Sequence, residues 1–376
     1  MIDKVRIKNF RSLRDVTVEL GALTFLVGQN GAGKSNFLIA LDFLNRCLLW
    51  DIETAVNHHG GIPNIIHRSP RENDAPMEMS LNLTLFADVK AFYSFSIGQN
   101  GNVEHEVCLL NEKQTGERVL FEIRNGKFEK ELPGVITRIE PGRLALPLLA
   151  GSGEVAPVFA VIRYMSFYTF KADRLRMFFN TSRGEALFPD ASNAASVLRH
   201  SILEDSRKKE IFISLMKKII PEFQDVDVDE NKLNQERFFL IQNDARIPNN
   251  LMSDGTLQMI GIFLALYQEI SPLFASFEEP ESTLHPGALE ILVEEFLDAS
   301  RRTQIVVTTH SADMLDHKGI TDKNIRYVEF RNGETVITPP GRVSMEAIRE
   351  KLYTPGDLLR MEQFDIDEEY LKNHSG

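Results

Sequence analysis

Eight residues near the N-terminus, Gly28-Gln29-Asn30-Gly31-Ala32-Gly33-Lys34-Ser35, constrain the fold of this chain more than any other stretch. They fit G-x-x-x-x-G-K-S. They stand between an apolar run, Leu23-Thr24-Phe25-Leu26-Val27, and a segment in which Phe37, Leu38, Leu41, Phe43, Leu44 and Leu48 recur at helical spacing. Strand, glycine-rich loop and helix in that order form a backbone that wraps an anion. The glycines let the chain turn its N–H groups inward, and the helix adds the positive end of its dipole. The spacing predicts a phosphate-binding loop over 28–36 in an α/β fold. Gly28, Asn30, Gly31, Ala32 and Gly33 supply the cradle, Lys34 neutralises β/γ-phosphate charge, Ser35 holds Mg²⁺ through its hydroxyl, and Asn36 completes the loop. ATP with Mg²⁺ is the expected ligand.

The rest of the chain reads as a mixed fold. Val5–Phe10 and Val16–Leu20 alternate apolar and polar residues, while Leu23–Val27 is continuously apolar and is expected to be central. Met77 to Leu110 has the pattern of an antiparallel meander turning at Gln99-Asn100-Gly101-Asn102, and Asn125-Gly126 signals a second hairpin. Leu132 to Pro157, rich in proline and glycine, is a loop or an insertion rim. Residues 190–220 are helical in pattern, with Ser192 or Asn193 as N-cap. Strands return at Phe223–Asp229 and Arg237–Ile241. From Leu257 to Thr309 the order is helix, apolar strand, helix, apolar strand, which implies a parallel sheet with crossover helices.

With 376 residues, 43% of them hydrophobic and 26% charged, the chain has enough apolar side chains for a large core, and disorder is excluded as its main theme. Its length suggests two lobes. No apolar stretch approaches the roughly 18–20 residues of a membrane span, and Met1-Ile2-Asp3-Lys4 runs directly into a strand pattern, so a cytoplasmic protein with no membrane partner is expected. Two cysteines, Cys47 and Cys108, are too few for a disulfide framework or a zinc site. A net charge of −12 argues against general affinity for nucleic acid, although a local basic patch remains compatible with it.

Three further segments carry chemistry. Phe274-Ala275-Ser276-Phe277-Glu278-Glu279-Pro280 is a mostly apolar strand ending in two carboxylates, the place where an open α/β sheet puts its catalytic groups. Glu278 is expected to orient Mg²⁺ or its water, and Glu279 to polarise the attacking water. Two surface glutamates after a core strand are the plain alternative. Ile305-Val306-Val307-Thr308-Thr309-His310 is another buried strand, and its terminal histidine is either a γ-phosphate sensor or a polar cap. Leu251-Met252-Ser253-Asp254-Gly255-Thr256 precedes a strongly apolar helix. Ser253 or Asp254 is an adequate N-cap there; Ser253 and Gly255 equally suit the approach of a phosphate held by another subunit.

These elements, in this order, resemble the ABC-type ATPases of the RecF, SMC and OLD lineage, and most closely the stand-alone bacterial AAA-family ATPases of anti-phage and toxin-antitoxin-like loci. The resemblance covers most of the chain. It is carried also by Ile7-Lys8-Asn9-Phe10-Arg11-Ser12, by the segment from Asp190-Ala191-Ser192-Asn193 to Leu198-Arg199, by Glu278-Glu279-Pro280-Glu281-Ser282-Thr283-Leu284-His285-Pro286 and by Thr309-His310-Ser311. It implies a P-loop NTPase with an ABC-ATPase-like two-lobe architecture: a mixed sheet core, an antiparallel β lobe and a helical signature lobe. In its terms Ser253-Asp254-Gly255 matches the signature, Glu279 the catalytic glutamate, Ser282 to His285 the D-loop and His310 the switch histidine. Arg11 matches the arginine near the nucleotide. Two protomers of the family sandwich two nucleotides, each site pairing one chain's phosphate loop with the other's signature, which implies a homodimer. The expected organisation is 1–160 for the N-terminal head with the β lobe, 161–250 for a helical or insertion lobe, 251–340 for the C-terminal head and 341–376 for a helical tail. No glutamine is assigned to a Q-loop.

The weaker features have plain readings beside them. His58, His59 and His67 suggest a metal cluster, but a solvent loop is the expectation. Asp225, Asp227 and Asp229 share one strand face, read as a charged outer face and not as a nuclease centre. Arg163, Lys171, Arg174, Arg176 and Arg183 alternate with aromatics, compatible with DNA or RNA contact or with a packed lobe. The function expected is an ATP-driven dimeric switch controlling an effector protein encoded nearby in an anti-phage or toxin-antitoxin-like module. The alternative is a RecF-like DNA-repair clamp. A transporter subunit is disfavoured by the D-loop likeness. A nuclease domain has no room after His310, and a long coiled coil is excluded by the absence of sustained heptads.

Overall fold

Strand β1 (Ile2–Phe10) buries Ile2, Val5, Ile7 and Phe10 and leaves its lysines and Arg6 at the surface, the alternation its sequence predicts. It pairs antiparallel with β2 (Leu13–Glu19) on one side and with β4 (Met77–Phe86) on the other. The computed structural model describes residues 1–67, 75–86, 89–113, 116–132, 139–140 and 142–374. Its chain forms two compact units. The first comprises Met1–Met165, Thr321–Thr354 and Leu358–Gly376, and the second Ser166–Ile320 with Pro355–Asp357.

In the first unit, β5 (Val89–Ile97), β6 (Val103–Glu112), β7 (Gly116–Arg124) and β8 (Lys127–Lys130) extend the antiparallel sheet to seven strands in the order β2-β1-β4-β5-β6-β7-β8. Both turn signals sit where this meander reverses. Gly101 and the Asn125-Gly126 pair have positive φ, and two consecutive left-handed residues match the twist of a tight hairpin. Strand β3 (Leu23–Val27) is buried at every position. Helix α1 (Lys34–Leu49) follows it and packs Phe43 against Phe10, with ring centroids 5.6 Å apart. Two shorter helices come next, α2 (Ile52–His58) and α3 (Ile62–Ile65); α4 (Leu146–Leu149) and α5 (Ala156–Arg163) close the N-terminal part. Within the proline-rich stretch from Leu132 to Pro157, residues 133–138 and 141 lie outside the described residues.

Strand β9 (Met165–Tyr168) starts on the last residue of the first unit's N-terminal part, and in the second unit it is followed by α6 (Ala172–Arg176) and β10 (Phe179–Asn180). Helix α7 (Ala194–Val197) runs into a π-helical turn over 198–203, and α8 (Ser206–Ile219) begins at Asp205, whose side chain accepts from the N–H groups of Arg207 and Lys208. Asn193 stands at the start of α7 but does not cap it. Its amide instead accepts from Phe188 N and donates to Ala186 O, both at 2.8 Å, which pins the loop before the helix. A small antiparallel sheet follows, β11 (Phe223–Glu230), β12 (Gln235–Gln242) and β13 (Ala245–Pro248), with β10 on its edge. Helix α9 (Asp254–Tyr267) is buried from Leu257 to Leu266. Strands β14 (Phe274–Glu278) and β15 (Gln304–Thr309) pair in parallel, joined by α10 (Pro286–Ala299), and the short α11 (Ala312–Leu315) follows. This is the crossover unit that the helix-strand alternation implies.

At Thr321 the chain returns to the first unit. Strand β16 (Ile325–Arg331) pairs parallel with β3 and antiparallel with β17 (Glu334–Thr338). Helix α12 (Arg342–Arg349), α13 (Pro355–Arg360) and α14 (Glu368–His374) complete the chain. Among the described residues no helix is long and apolar enough to cross a membrane.

Candidate functional site

The phosphate loop connects β3 to α1 and is held by close packing. A side chain on Gly28 would collide with the Val328 carbonyl of β16, and one on Gly33 with the Thr335 side chain of β17. Gly31 and Gly33 have φ of 79° and 104°, so the loop needs glycine for conformation as well as for space. Gln29, Asn30 and Gly31 are exposed at the tip, whereas Gly28 and Ala32 are buried. Helix α1 starts at Gly33 with no side-chain cap, which suits an external anion at its N-terminus. Lys34 is 5% exposed, and its Nζ donates to the carbonyl oxygens of Gly28 at 2.7 Å and Gln29 at 3.0 Å. Its ammonium is therefore fixed on the loop, where a triphosphate chain would lie. Ser35 follows in the first helical turn, half-buried.

A line of hydrogen bonds runs from Arg11 to this loop. Arg11 Nη1 donates to Asn36 Oδ1 at 3.3 Å, Asn36 Nδ2 to Ser12 Oγ at 2.7 Å, and Thr335 Oγ1 to the Ala32 carbonyl at 2.9 Å. Ser12 Oγ and Thr335 Oγ1 lie 2.7 Å apart. Because Thr335 spends its proton on Ala32, Ser12 must donate to Thr335. Every donor thus points along one direction. Arg11 itself has φ +49°, and its Nε is buried without a hydrogen-bond partner among the described residues; burial pulls its pKa down. A guanidinium with an unfilled buried donor beside a phosphate loop is suited to an anion.

The second unit carries the other predicted residues. Glu278 ends β14, and its Oε2 accepts from Thr169 Oγ1 at 3.3 Å. Glu279 has φ +41°, a left-handed backbone that is costly for a non-glycine residue and unusual just before Pro280. Its N–H is held in that turn by Thr308, which accepts through both its carbonyl and its Oγ1 at 3.1 Å. The strain marks a place where side-chain position is fixed by its surroundings. His310, one residue past β15, has Nδ1 3.5 Å from Glu279 Oε1 and 3.9 Å from Glu281 Oε1. Glu281 is 7% exposed and accepts from Thr309 Oγ1 at 2.5 Å and from His310 N at 3.2 Å. A buried carboxylate therefore ties the turn after β14 to the end of β15, and it holds Glu279 and His310 side by side. Glu281 has no role of its own in the sequence pattern, where it stands just before the D-loop likeness of Ser282 to His285. Its signal was an extra acid in Glu278-Glu279-Pro280-Glu281, legible only once its burial is known.

Ser253 is exposed and caps α9, its Oγ accepting from Thr256 N at 3.2 Å. Of the two cap candidates, Ser253 takes the role. Asp254 is used differently: its carboxylate pairs with Arg176, which also donates to the Met252 carbonyl at 3.0 Å. Arg176 thus braces the Ser253 segment from α6. A side chain on Gly255 would lie 2.8 Å from the Thr283 carbonyl, so this glycine admits the turn of residues 282–285 against the start of α9. Of the basic run, Arg174 pairs with Asp190 and Arg163 lies over Tyr164, so several of these cations are engaged within the chain. The aspartates of β11 are engaged too. Asp225 pairs with Lys209, and Asp227 and Asp229 share Arg246, so the strand face carries ion pairs.

A family model described as "AAA domain, putative AbiEii toxin, Type IV TA system" matches residues 23–316, which takes in the phosphate loop, the β14 end with its two carboxylates, and His310. The chain belongs to this family. It is also 48% identical over 44 residues to an OLD nuclease of Thermus scotoductus; the match covers 12% of this chain and only 8% of that protein. Among solved structures, an SMC head bound to the C-terminal winged-helix domain of ScpA aligns with a TM-score of 0.56 at 13% identity, covering 90% of this chain and 97% of that one. The SMC head with an extended coiled coil from Pyrococcus furiosus, bound to the C-terminal domain of ScpA, aligns with a TM-score of 0.52 at 14% identity, covering 93% and 99%. The fold is accordingly that of an SMC head, a P-loop ATPase head of the ABC type.

His58 and His59 depart from expectation. They do not lie in a solvent loop: His58 ends α2, and the His59 side chain is 8% exposed and packs edge-on against Phe43. His67 stands apart from them, its Nδ1 2.6 Å from the Arg11 carbonyl.

Proposed function

We propose that this protein binds and hydrolyses ATP as the dimeric switch of a defence or toxin-antitoxin-like module, controlling a partner effector. The observation that carries hydrolysis is the fixed pairing of Glu279 with His310, 3.5 Å apart at the ends of two parallel strands and braced by the buried Glu281. In this reading Lys34 and the loop N–H groups of 28–36 bind the β- and γ-phosphates, and Arg11 adds a charge-assisted donor. Mg²⁺, when bound, neutralises phosphate charge, with Ser35 and Glu278 as its holders. Glu279 accepts a proton from the water that attacks the γ-phosphorus. The bond to the β-phosphate oxygen breaks, and ADP and inorganic phosphate leave. His310 stays hydrogen-bonded to the transferring group.

The dimer and the partner rest on different support. Ser253 and Gly255 lie at the exposed start of α9, where a second protomer's phosphate can approach the helix N-terminus. The family's description names a type IV toxin-antitoxin system, which supports a role in regulating an effector. The test is a steady-state ATPase assay on the purified chain with Mg²⁺, alongside Glu279→Gln. Measurable turnover lost in the variant supports the reading; no turnover in either, with ATP bound normally, would leave a nucleotide-binding scaffold instead.

A further inference from the structure

In the first unit, well along α1 from the phosphate loop, Asp42, His58 and His59 bring one carboxylate oxygen and two imidazole nitrogens within 4.8 Å of one another. We propose that these three side chains form a binding site for a divalent transition-metal cation of the zinc type, with solvent completing the coordination.

The geometry suits such an ion. His59 Nε2 lies 3.6 Å from Asp42 Oδ2. A tetrahedral site with metal–nitrogen distances of about 2.0–2.1 Å has ligand atoms about 3.3–3.4 Å apart, so the pair needs only a small adjustment. The second observation is independent of this clustering. His59 Nε2 is buried with no hydrogen-bond partner among the described residues, although its side chain is 8% exposed and is aimed at the carboxylate. A buried imidazole nitrogen is ordinarily satisfied. His58 stacks edge-on to His59 with ring centroids 5.1 Å apart and stays exposed, which gives the ion a route in. Both histidines lie at the C-terminus of α2, where the helix dipole favours a cation.

Arg46 Nε donates to Asp42 Oδ2 at 2.6 Å, and its guanidinium lies over Trp50. That bond orients the carboxylate as outer partners of metal ligands do. A carboxylate has lone pairs for both roles. The acidic cluster of Glu290, Glu294 and His317 on the second unit is a poorer candidate. His317 Nδ1 accepts from Gly319 N at 3.1 Å, so its Nε2 carries the proton and has no lone pair to offer. A metal at the first cluster would fasten the end of α2 to α1, the helix whose first turn carries Lys34 and Ser35.

The experiment uses the full chain stripped of metal with a chelator and then titrated calorimetrically with Zn²⁺ in excess Mg²⁺, with Co²⁺ absorbance as a second probe. The expected result is one Zn²⁺ per chain and a tetrahedral Co²⁺ spectrum, with affinity reduced at least about tenfold in His58→Ala and in Asp42→Asn, as loss of a ligand must cost no less than loss of an outer partner. His317→Ala is expected to bind as the parent does. His58 is exposed, so His58→Ala keeps the test valid should variants at the buried His59 fail to fold. Absence of Zn²⁺ binding by the parent chain, or unchanged affinity in His58→Ala, would overturn the proposal.

Discussion

Thr335 reaches back across 303 residues of sequence to donate from Oγ1 to the carbonyl of Ala32, in the middle of the phosphate loop. The same side chain fills the space that a side chain on Gly33 would need. The loop's shape is therefore set partly by β17, and the line Arg11, Asn36, Ser12 and Thr335 extends that control to the strand pair at the N-terminus. A phosphate loop is usually described by its own glycines. Here its conformation depends equally on a threonine that no local motif contains.

Thr335→Val keeps the shape of the side chain and removes the hydroxyl, leaving the Ala32 carbonyl without its donor and Ser12 without its acceptor. The expected cost in stability is about 1–3 kcal/mol, the range for an unsatisfied buried polar group, together with weaker ATP binding. Thr335→Ser retains the hydroxyl and is expected to retain affinity. Chemical denaturation and calorimetric titration of the two variants check this; equal ATP affinity in Val and Ser variants would detach the hydroxyl from loop shape.

How much of this was legible follows from the range of each interaction. The strand, loop and helix around Lys34 and the alternating helices and strands from Leu257 to Thr309 are local patterns, and they lie where the periodicity puts them. The turns at Gln99–Asn102 and Asn125-Gly126 are local as well, because positive φ selects their residues. The roles of Thr335 and Glu281 were not legible, nor was the partner of Arg176, which the sequence marks only as part of a basic run, since each acts on a residue brought near by folding. Asn193 shows the converse: a good capping residue in a good capping position is drawn to Phe188 and Ala186 by the loop packed beside it. His58 and His59 read as loop residues because a helix ending in two histidines has no strong sequence signal, and the partner that gives them meaning, Asp42, lies on another helix.

Lys34→Ala removes the ammonium held on the Gly28 and Gln29 carbonyls. The core around α1 is untouched, so the variant is expected to fold while losing measurable ATP hydrolysis and most of its ATP affinity, since a charge-assisted contact to phosphate is lost. Calorimetry with ATP and Mg²⁺ on a folded variant checks it. Unchanged affinity would place the nucleotide elsewhere.

Glu106 predicts a pH dependence. Its carboxyl is fully buried and accepts from Tyr93 Oη and Leu146 N at 2.9 Å and Ala145 N at 2.6 Å. Burial raises its pKa from 4.5 to about 7, partly opposed by these donors. A raised carboxyl pKa means that the folded protein binds more protons than the unfolded chain between pH 4.5 and about 7. Its contribution to stability therefore falls as pH rises through that window and is constant above it. Glu106→Gln removes the dependence. The difference in melting temperature between parent and variant, followed from pH 5 to pH 8, is expected to shift in favour of the variant as pH rises. A difference independent of pH would mean that Glu106 does not titrate in this window.

The composite-site reading is tested most directly by pairing two substitutions. Glu279→Gln retains size and hydrogen bonding but cannot accept a proton from water, so hydrolysis is expected to slow by about 10²–10⁴-fold with ATP affinity preserved. ATP then stays bound. If Ser253 and Gly255 of a second protomer grip its γ-phosphate, trapped ATP stabilises the dimer by mass action. Adding Ser253→Arg places a bulky side chain at the exposed start of α9. The cap on Thr256 N is lost as well, at a cost of roughly 0.5–2 kcal/mol, which a folded domain of this size tolerates. The double variant is expected to bind ATP as a monomer, while Glu279→Gln alone shifts to a dimer on adding ATP. Multi-angle light scattering with and without ATP separates the outcomes. ATP-dependent association that survives Ser253→Arg would reduce Ser253 to a helix cap, and no association in Glu279→Gln would remove the shared site altogether.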